Sequence, residues 1–331
     1  MSHRLREETT VARWPRSVDQ ILVGDQAVTF AHVTPLRGVV LTPLTNTGLC
    51  DRRAGTLTPV SSSVGMWKKL KRISEERRVA VAYHTREHGF ADRPEYVLVQ
   101  GTASLSPIED HSWVETHLEN WERFSGRRNV GPIGERWLSA YHWRIGIELA
   151  VERMIVWPDL GCRGEPEVYS APLSTQSPEP QRPPLHGIGP RINHRRAAKR
   201  AARLPNRLLG WVGSDGFPMV VPVEIAGTED RGITLEPPSS IAVPQGGRRA
   251  AFTAHSFARY TFGQHQRKHT GWMIAEPGDR RVLYAPHTEA GYWLPESRLL
   301  YRIGSGFVTR RGLREARRAG FITSEMEGSP R

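Results

Sequence analysis

The sequence predicts a mainly β, α+β protein with flanking helices, built as two similar domains in tandem. Three observations support this prediction. The 331 residues are about twice the length of an ordinary single domain. Short β-rich runs recur through both halves of the chain. A proline-rich stretch without apolar periodicity separates the two halves at 164–190.

The first half opens with the pattern of a hairpin. Residues 17–24 predict a short helix, and β-rich runs follow at 27–33 and 38–44 with a four-residue turn between them. A third run at 56–61 leads through three serines into 66–77, where apolar residues have helical spacing. The order is therefore strand, serine turn and basic helix.

Two long strands and two helices complete the first half. Residues 78–84 and 96–105 are predicted strand partners, 109–124 and 134–143 are predicted helices, and 145–157 closes the domain as a strand.

The second half repeats this order after a basic helix at 192–202. An Asp-Gly turn at Asp215 and Gly216 joins apolar runs at 208–212 and 217–225, which is typical of a hairpin. The remaining predictions are strands at 232–236, 249–256, 270–275, 281–285 and 299–304, and a terminal helix at 313–319.

One short internal match supports the repeat. An Arg begins a strand and a His ends it six residues later at Arg78 to His84 and again at Arg249 to His255. The expected division is a first domain at 1–162, a linker at 163–190, a second domain at 191–320 and a tail at 321–331.

The net charge of +12 is concentrated in two short arginine-rich stretches, 191–203 and 310–318. Neither stretch has interleaved aromatics or a recognition motif, so nucleic-acid binding is not expected. No apolar run is long enough to span a membrane, and the charged residues 1–16 contain no signal-peptide core. The sequence therefore predicts a cytoplasmic protein with no membrane partner and, with only two cysteines, no disulfide framework.

The serine turn before the basic helix is the best candidate for an anion site. Hydroxyls, backbone N–H groups and cations together suit a phosphate. The candidate residues are Ser61, Ser62, Ser63, Lys68 and Lys69. The alternative is an N-capped surface helix with solvated charges.

Histidines and aromatic residues in the second half form a weaker candidate site. His255 ends a strand, and His265 and His269 have the i, i+4 spacing of metal ligands on a helix, but no third ligand is evident and no metal is expected. Hydrogen-bonded structural histidines are the alternative. Aromatic residues in this half either stack on a ligand ring or simply fill the cores: Trp211, Trp272, Trp293, Tyr284 and Tyr292.

Several segments together resemble one known family. In the first half these are the hairpin at 27–44, the Ser61-Ser-Ser-Val-Gly-Met-Trp-Lys-Lys turn and helix, and the strand at 96–103 with Gly101 inside it. In the second half the strand, Asp-Gly turn and returning strand at 208–223 match. The pattern resembles the split-barrel proteins related to pyridoxamine 5'-phosphate oxidase.

This resemblance implies two antiparallel split β-barrels in tandem, arranged as a monomeric pseudo-dimer or as a homodimer. It implies a flavin cofactor, either flavin mononucleotide (FMN) or a deazaflavin, with hydride transfer to or from a small organic substrate. Ser61, Ser62, Ser63, Lys68 and Lys69 would hold the phosphate, and His255 would contact the cofactor. No catalytic side chain is identified, because flavin enzymes leave the chemistry to the cofactor.

Two alternatives remain open from the sequence. Haem-binding relatives use the same barrel, so His255 or a neighbouring histidine is also a candidate haem ligand. The other alternative is a non-catalytic scaffold in which the basic helix at 192–202 binds a partner.

Overall fold

A computed structural model of the chain describes residues 14–127 and 131–327. Most of the charged N-terminal segment and the last four residues of the expected tail lie outside these ranges. Within them the chain forms two curled antiparallel sheets with flanking helices, which confirms the predicted fold class of tandem split barrels.

The first sheet has the strand order β2-β1-β5-β6-β7-β4-β3, and β8 adds to β7 at one side. The hairpin and the long strand pair form as the alternating apolar pattern predicts. The strands are β1 (Ala27–Val33), β2 (Val39–Thr45), β3 (Leu49–Asp51), β4 (Thr56–Ser63), β5 (Arg78–Tyr83), β6 (Tyr96–Leu105), β7 (Arg144–Trp157) and β8 (Glu167–Ser170).

The second sheet repeats this topology in the order β10-β9-β13-β14-β15-β12-β11. Each strand therefore has a counterpart eight strands earlier in the chain. The strands are β9 (Asn206–Val212), β10 (Pro218–Pro222), β11 (Glu224–Glu229), β12 (Gly232–Glu236), β13 (Gly246–Ser256), β14 (His265–Ala275) and β15 (Val282–Trp293).

A glycine bulge occurs at the same place in both sheets. The register shifts at Gly101 in β6 and at Gly271 in β14. A Cβ atom on Gly101 would lie 2.1 Å from the carbonyl oxygen of Ala150, and one on Gly271 would lie 2.2 Å from that of Ala285. Only glycine fits these close backbone approaches, so the bulges require it.

Helices cover the sheets and connect them. The predicted helix at 109–124 is divided in two, and a short 3-10 helix, Val64–Met66, precedes the basic helix of the first half. The helices are α1 (Arg16–Gly24), α2 (Trp67–Glu75), α3 (Trp113–Thr116), α4 (Leu118–Ser125), α5 (Gly131–His142), α6 (His194–Ala201), α7 (Arg298–Arg318) and α8 (Ser324–Glu327).

The prediction of a last strand at 299–304 is wrong, because these residues form the first turns of α7. Their apolar character suggested burial in a sheet, but Leu299, Leu300 and Ile303 lie on the exposed side of the helix. The last strand is β15, which continues to Trp293.

The two sheets pack against each other and share a core. Buried residues from both halves, including Leu41, Ala80, Leu208 and Ala251, form one apolar cluster between the sheets. The Tyr96 hydroxyl donates to the carbonyl oxygen of Val220 at 2.8 Å within this cluster. The halves thus form one compact pseudo-dimer.

A histidine pair lies at the centre of this packing. His84 follows β5, and His255 lies near the end of β13, its counterpart. Their Nε2 atoms are 2.7 Å apart, and both rings are buried. His84 Nδ1 is 3.1 Å from the carbonyl oxygen of Ala82, to which it donates when protonated. The internal repeat recognised in the sequence is therefore a contact across the pseudo-twofold axis.

Acid is expected to destabilise this packing. Burial lowers the pKa of His84 to about 4, and it lowers the pKa of His255 well below the usual 6.5. As the pH falls below 6.5, these two histidines become protonated in the unfolded chain but stay neutral in the folded protein. The free energy of unfolding therefore falls by about 1.4 kcal/mol per pH unit for each of them. Chemical denaturation between pH 7 and pH 4.5 measures this slope.

Two substitutions separate this effect from general acid sensitivity. His84→Gln should flatten the slope, whereas His186→Gln, at an exposed position, should leave it unchanged. If stability depends on pH equally in the unmodified chain, His84→Gln and His186→Gln, the acid sensitivity does not come from the His84–His255 pair.

Candidate functional site

A cleft of about 780 Å³ lies between the two halves of the pseudo-dimer. The first half contributes residues of β1, β2 and β4, the start of β7, and α2, while the second half contributes the ends of β14 and β15 and the inner face of α7. A volume of this size accommodates a cofactor-sized ligand. Ser61, Ser62, Ser63, Lys68 and Lys69 all line this cleft.

The three serines lie at the end of β4, where the chain leaves the sheet. Ser63 has a structural role, because its hydroxyl donates to the carbonyl oxygen of Ala140 at 2.7 Å and accepts from the N–H of Gly65 at 3.2 Å. Ser61 and Ser62 are buried at the cleft wall. The Ser62 hydroxyl donates a long hydrogen bond, 3.4 Å, to the carbonyl oxygen of Ser63, and the Ser61 hydroxyl makes no hydrogen bond within the described part of the chain.

Helix α2 presents one lysine to the interior of the cleft and one to its rim. Leu70 and Ile73 anchor the helix in the first core. Lys69 is partly buried, whereas Lys68 is exposed and lies over the ring of Trp67 at 5.6 Å. Desolvation, together with the charges of Arg144 and Lys268, lowers the pKa of Lys69 to about 7.

Three further cations, two of them from other elements, surround Lys69. Arg72 lies one turn later on α2, Arg144 begins β7, and Lys268 lies in β14 of the other half. Burial lowers the pKa of Lys268 as well. Among the described residues that line the cleft, the one carboxylate is Glu315, which pairs with Arg311 at 3.2 Å. The cleft is therefore strongly positive.

These cations lack counter-charges within the described ranges. Neither Lys69 nor Lys268 makes a side-chain hydrogen bond or ion pair there, and Arg144 Nε is buried without a partner. The Arg144 guanidinium lies against the rings of Trp121 and Tyr141, 4.7 and 4.5 Å from their centroids. Unpaired cations in a partly desolvated cleft are characteristic of a site for an anion.

A buried histidine forms part of the same wall. His32 in β1 is 1% exposed, and neither ring nitrogen has a partner in the part of the chain described. Burial, and then the charges of Lys69, Arg72 and Lys268, lower the pKa of His32 to about 3. The imidazole is therefore neutral at physiological pH.

Aromatic and amide side chains line the opposite wall. The Tyr292 hydroxyl donates to Gln264 Oε1 at 2.6 Å, and Gln264 Nε2 donates to the Tyr301 hydroxyl at 2.8 Å. Gln266 Nε2 donates to the carbonyl oxygen of Pro43 at 3.0 Å, which ties this network to the first half. Burial raises the pKa of Tyr292 and of Tyr301, so both hydroxyls keep their protons.

The histidines predicted as cofactor ligands lie elsewhere. His255 is fully buried against His84 and does not line the cleft. His265 and His269 lie on strand β14, not on a helix, and His269 stacks on Phe252 with ring centroids 5.9 Å apart. Of the aromatic candidates, Tyr292 and Trp293 line the cleft, whereas Trp211, Trp272 and Tyr284 are buried in the second half.

The basic helix α6 is partly neutralised within the chain. Arg195 pairs with Asp230 at 2.8 Å, and Arg200 pairs with Glu289 at 3.4 Å.

The rarity of lysine in this sequence could have pointed to Lys268, the cleft lysine that the sequence analysis did not single out. The chain has 46 basic residues, of which only five are lysines, and three of those five line the cleft: Lys68, Lys69 and Lys268. No local pattern, however, connects Lys268, Arg144 or His32 with the serine turn, because these residues meet only through the packing of the halves.

The pseudo-symmetric counterpart of the cleft has the opposite chemistry. Matching the strand registers places Leu98 where the cleft has Lys268 and Trp211 where it has His32. Glu236 and two prolines replace the three serines, and no helix follows them.

Linker residues close this second position. Leu98 packs in an apolar cluster with Trp157 and Cys162, against Leu173 from the proline-rich segment. The same segment contacts the second sheet, where Arg248 Nη2 donates to the carbonyl oxygen of Pro178 at 3.0 Å. Within 14–127 and 131–327, the position equivalent to Lys268 is therefore part of an apolar cluster and not of a cationic cleft.

Comparison with known proteins gives structural neighbours. No family model and no curated protein matches the chain. Proteins of the pyridoxamine phosphate oxidase family are among the solved structures that do match. One is a protein related to general stress protein 26, of the pyridoxinephosphate oxidase family, from Clostridium acetobutylicum. It is 9% identical, over 44% of this chain and 86% of that one, with a TM-score of 0.29.

Two further neighbours carry ligand names in their descriptions. A pyridoxamine 5'-phosphate oxidase-related, FMN binding protein from Nostoc punctiforme is 13% identical over 63% of this chain and 93% of that one (TM-score 0.29). A heme binding protein from Mycobacterium smegmatis is 12% identical. The match covers 91% of this chain and 99% of that one, with a TM-score of 0.29. Similarity this low does not indicate a ligand or a reaction for this chain.

Removing a cleft lysine is expected to stabilise the chain without ligand. Lys69→Met relieves repulsion from Arg144 and Lys268 and should raise the free energy of unfolding by on the order of 1 kcal/mol. Lys71→Met, at an exposed position on the same helix that pairs with Glu75, should have little effect. Denaturant unfolding of both variants tests this, and destabilisation by Lys69→Met would contradict the repulsive cluster.

Proposed function

We propose that the cleft binds a phosphorylated flavin, FMN or a deazaflavin, and that the protein is an oxidoreductase acting on a small organic substrate. One observation above all supports this: cations from both halves converge on the cleft without counter-charges, beside the buried hydroxyls of Ser61 and Ser62.

The phosphate would bind where these groups converge. A phosphate carries close to two negative charges and accepts several hydrogen bonds. Lys69 and Lys268 offer ammonium donors, and Ser61 and Ser62 offer hydroxyl donors at the end of β4. Binding would raise the pKa of Lys69 from about 7 and hold this lysine in its charged form.

The rest of the cleft suits a planar, partly polar ring. Trp121 and Tyr141 supply aromatic faces, and the Tyr292–Gln264–Tyr301 network supplies hydroxyl and amide groups at fixed positions. Residues fixed by packing and hydrogen bonds hold a ligand in one orientation without further ordering cost. The resemblance to flavin-binding split barrels agrees with this fit.

A bound flavin or deazaflavin supplies the hydride acceptor or donor. The residues of the chain bind, orient and shield it. Helix α7 covers the cleft with Tyr301, Ser305 and Thr309 on its inner face, which limits the access of water. The Tyr292 hydroxyl keeps its proton and donates it to Gln264, which fixes the position of this hydroxyl at the cleft wall.

FMN is expected to bind with a stoichiometry of one per chain, because none of the residues that match Lys268, His32 and the three serines by strand register is cationic. Lys69→Met and Lys268→Met should each weaken binding about tenfold or more, since each removes a charge-assisted hydrogen bond. Titration monitored by quenching of flavin fluorescence gives both the affinity and the stoichiometry. A deazaflavin should be titrated in parallel.

Lys71→Met is the matched control for these titrations and should bind like the unmodified chain. Binding of two flavins per chain, or unchanged affinity in both cleft variants, would contradict the assignment. Failure of FMN and deazaflavin alike to bind would overturn the proposal.

Haem is a second candidate because of His32. Both of its nitrogens are unpartnered at the cleft wall, and its low pKa keeps the imidazole neutral, as ligation of iron requires. The cleft cations would then pair with the propionates. The histidine that the sequence favoured, His255, is hydrogen-bonded to His84 instead.

Haem titration distinguishes the two candidates. If haem is the ligand, a Soret shift should appear on its addition and be lost in His32→Ala, while His255→Ala keeps it. If FMN is the ligand, His32→Ala should leave most of the flavin affinity in place, because the lysines that hold the phosphate remain.

A further inference from the structure

The outer face of α7 is apolar along its first half. Residues such as Tyr301 and Thr309 point inward and are buried, but four apolar side chains on the other side are exposed. At 100° per residue these four fall within an arc of about 100°, which is one continuous stripe. They are Leu299, Leu300, Ile303 and Phe307, exposed by 68%, 53%, 48% and 57%.

The same arc becomes cationic along the second half of α7. By the same helical geometry it continues through Arg311, Arg314, Arg317 and Arg318, while Arg310 at its edge donates to the carbonyl oxygen of Trp137. Arg311, Arg314 and Arg318 are exposed. The one acidic residue of the helix, Glu315, pairs with Arg311. One face of α7 is thus apolar along its first half and carries arginines along its second half.

This two-part face adjoins the mouth of the cleft. Phe307 belongs both to the exposed stripe and to the cleft lining. Trp293, 64% exposed at the end of β15, also lines the cleft. The apolar surface therefore continues from the outside of α7 to the entrance of the site.

We propose that this face of α7 binds the surface of an anionic lipid bilayer. An apolar ridge enters the boundary between headgroups and acyl chains, while neighbouring arginines lie beside lipid phosphates. A tryptophan at the edge of such a patch suits the interface, because its ring is amphipathic. Within 14–127 and 131–327 no helix is long and apolar enough to cross a membrane, so this is attachment to the surface.

Other occupants of this face fit less well. A second copy of the chain would place each arginine half either against the other arginine half or against exposed apolar side chains, and neither arrangement supplies the arginines with negative charge. Nucleic acid would pair with the arginines but leave the four apolar side chains in water. A partner helix generally docks in a groove, whereas side chains exposed by about half or more form a ridge.

The sequence did not suggest this surface. Its expectation of no membrane partner considered spanning segments only, and it divided α7 into a strand and a separate short helix. The stripe and the arginines align on one face only when 298–318 is one helix. This inference does not depend on the identity of the cleft ligand.

Sedimentation with lipid vesicles tests the proposal. The full chain should bind vesicles of phosphatidylcholine mixed with phosphatidylglycerol, and bind pure phosphatidylcholine far more weakly. The double variant Leu300→Glu/Phe307→Glu should lose affinity about tenfold or more, because it places charges in the ridge. Both positions are exposed, so the variant should fold, which circular dichroism verifies.

The matched control places the same charges on other exposed apolar residues. Leu36→Glu/Leu185→Glu, at 68% and 101% exposure, should bind vesicles much more like the unmodified chain than the α7 variant does. No binding to anionic vesicles, equal binding to neutral ones, or equal loss in both double variants would overturn the proposal. A dimer in solution that only the α7 variant dissociates would also overturn it, and would assign the ridge to self-association.

Discussion

The contact between His84 Nε2 and His255 Nε2 joins equivalent strands at the centre of the face shared by the two sheets. The neighbouring hydrogen bonds from Tyr96 to Val220 and from Gln266 to Pro43 also cross between the halves. This packing sets the position of β14 relative to β1 and β2, and thereby brings Lys268 to the same cleft as Lys69. Without this packing, neither half contains the site.

The cleft is maintained at an electrostatic cost that the rest of the fold offsets. Lys69, Lys268, Arg72 and Arg144 are held together by α2, β7 and β14, each anchored in an extensive apolar core. A rigid scaffold keeps such charges from separating or turning outward, and a ligand that supplies negative charge recovers the cost. Selection for stability alone would have paired or removed these cations.

Local chemistry was sufficient to predict much of the fold and part of the site. Period-two apolar runs predicted β1, β5 and β6, the Asp215-Gly216 turn predicted a hairpin, and the serine turn led to Ser61, Ser62 and Lys69. The errors occurred where tertiary packing or surface function overrides local pattern. The exposed apolar stripe of α7 was interpreted as a strand. The contact of His255 with His84 also depends on the packing of the two halves, which no local pattern indicates.

The tandem arrangement removes a constraint that binds a dimer of identical chains. In a dimer of identical chains every substitution appears in both subunits, so a lysine that serves one of the two equivalent sites is also present in the other. Here Lys268 and its counterpart Leu98 have diverged, as have His32 and Trp211. One position is therefore free to carry the charged site, while the other can serve packing, as Leu173 of the proline-rich connector does against the cluster around Leu98.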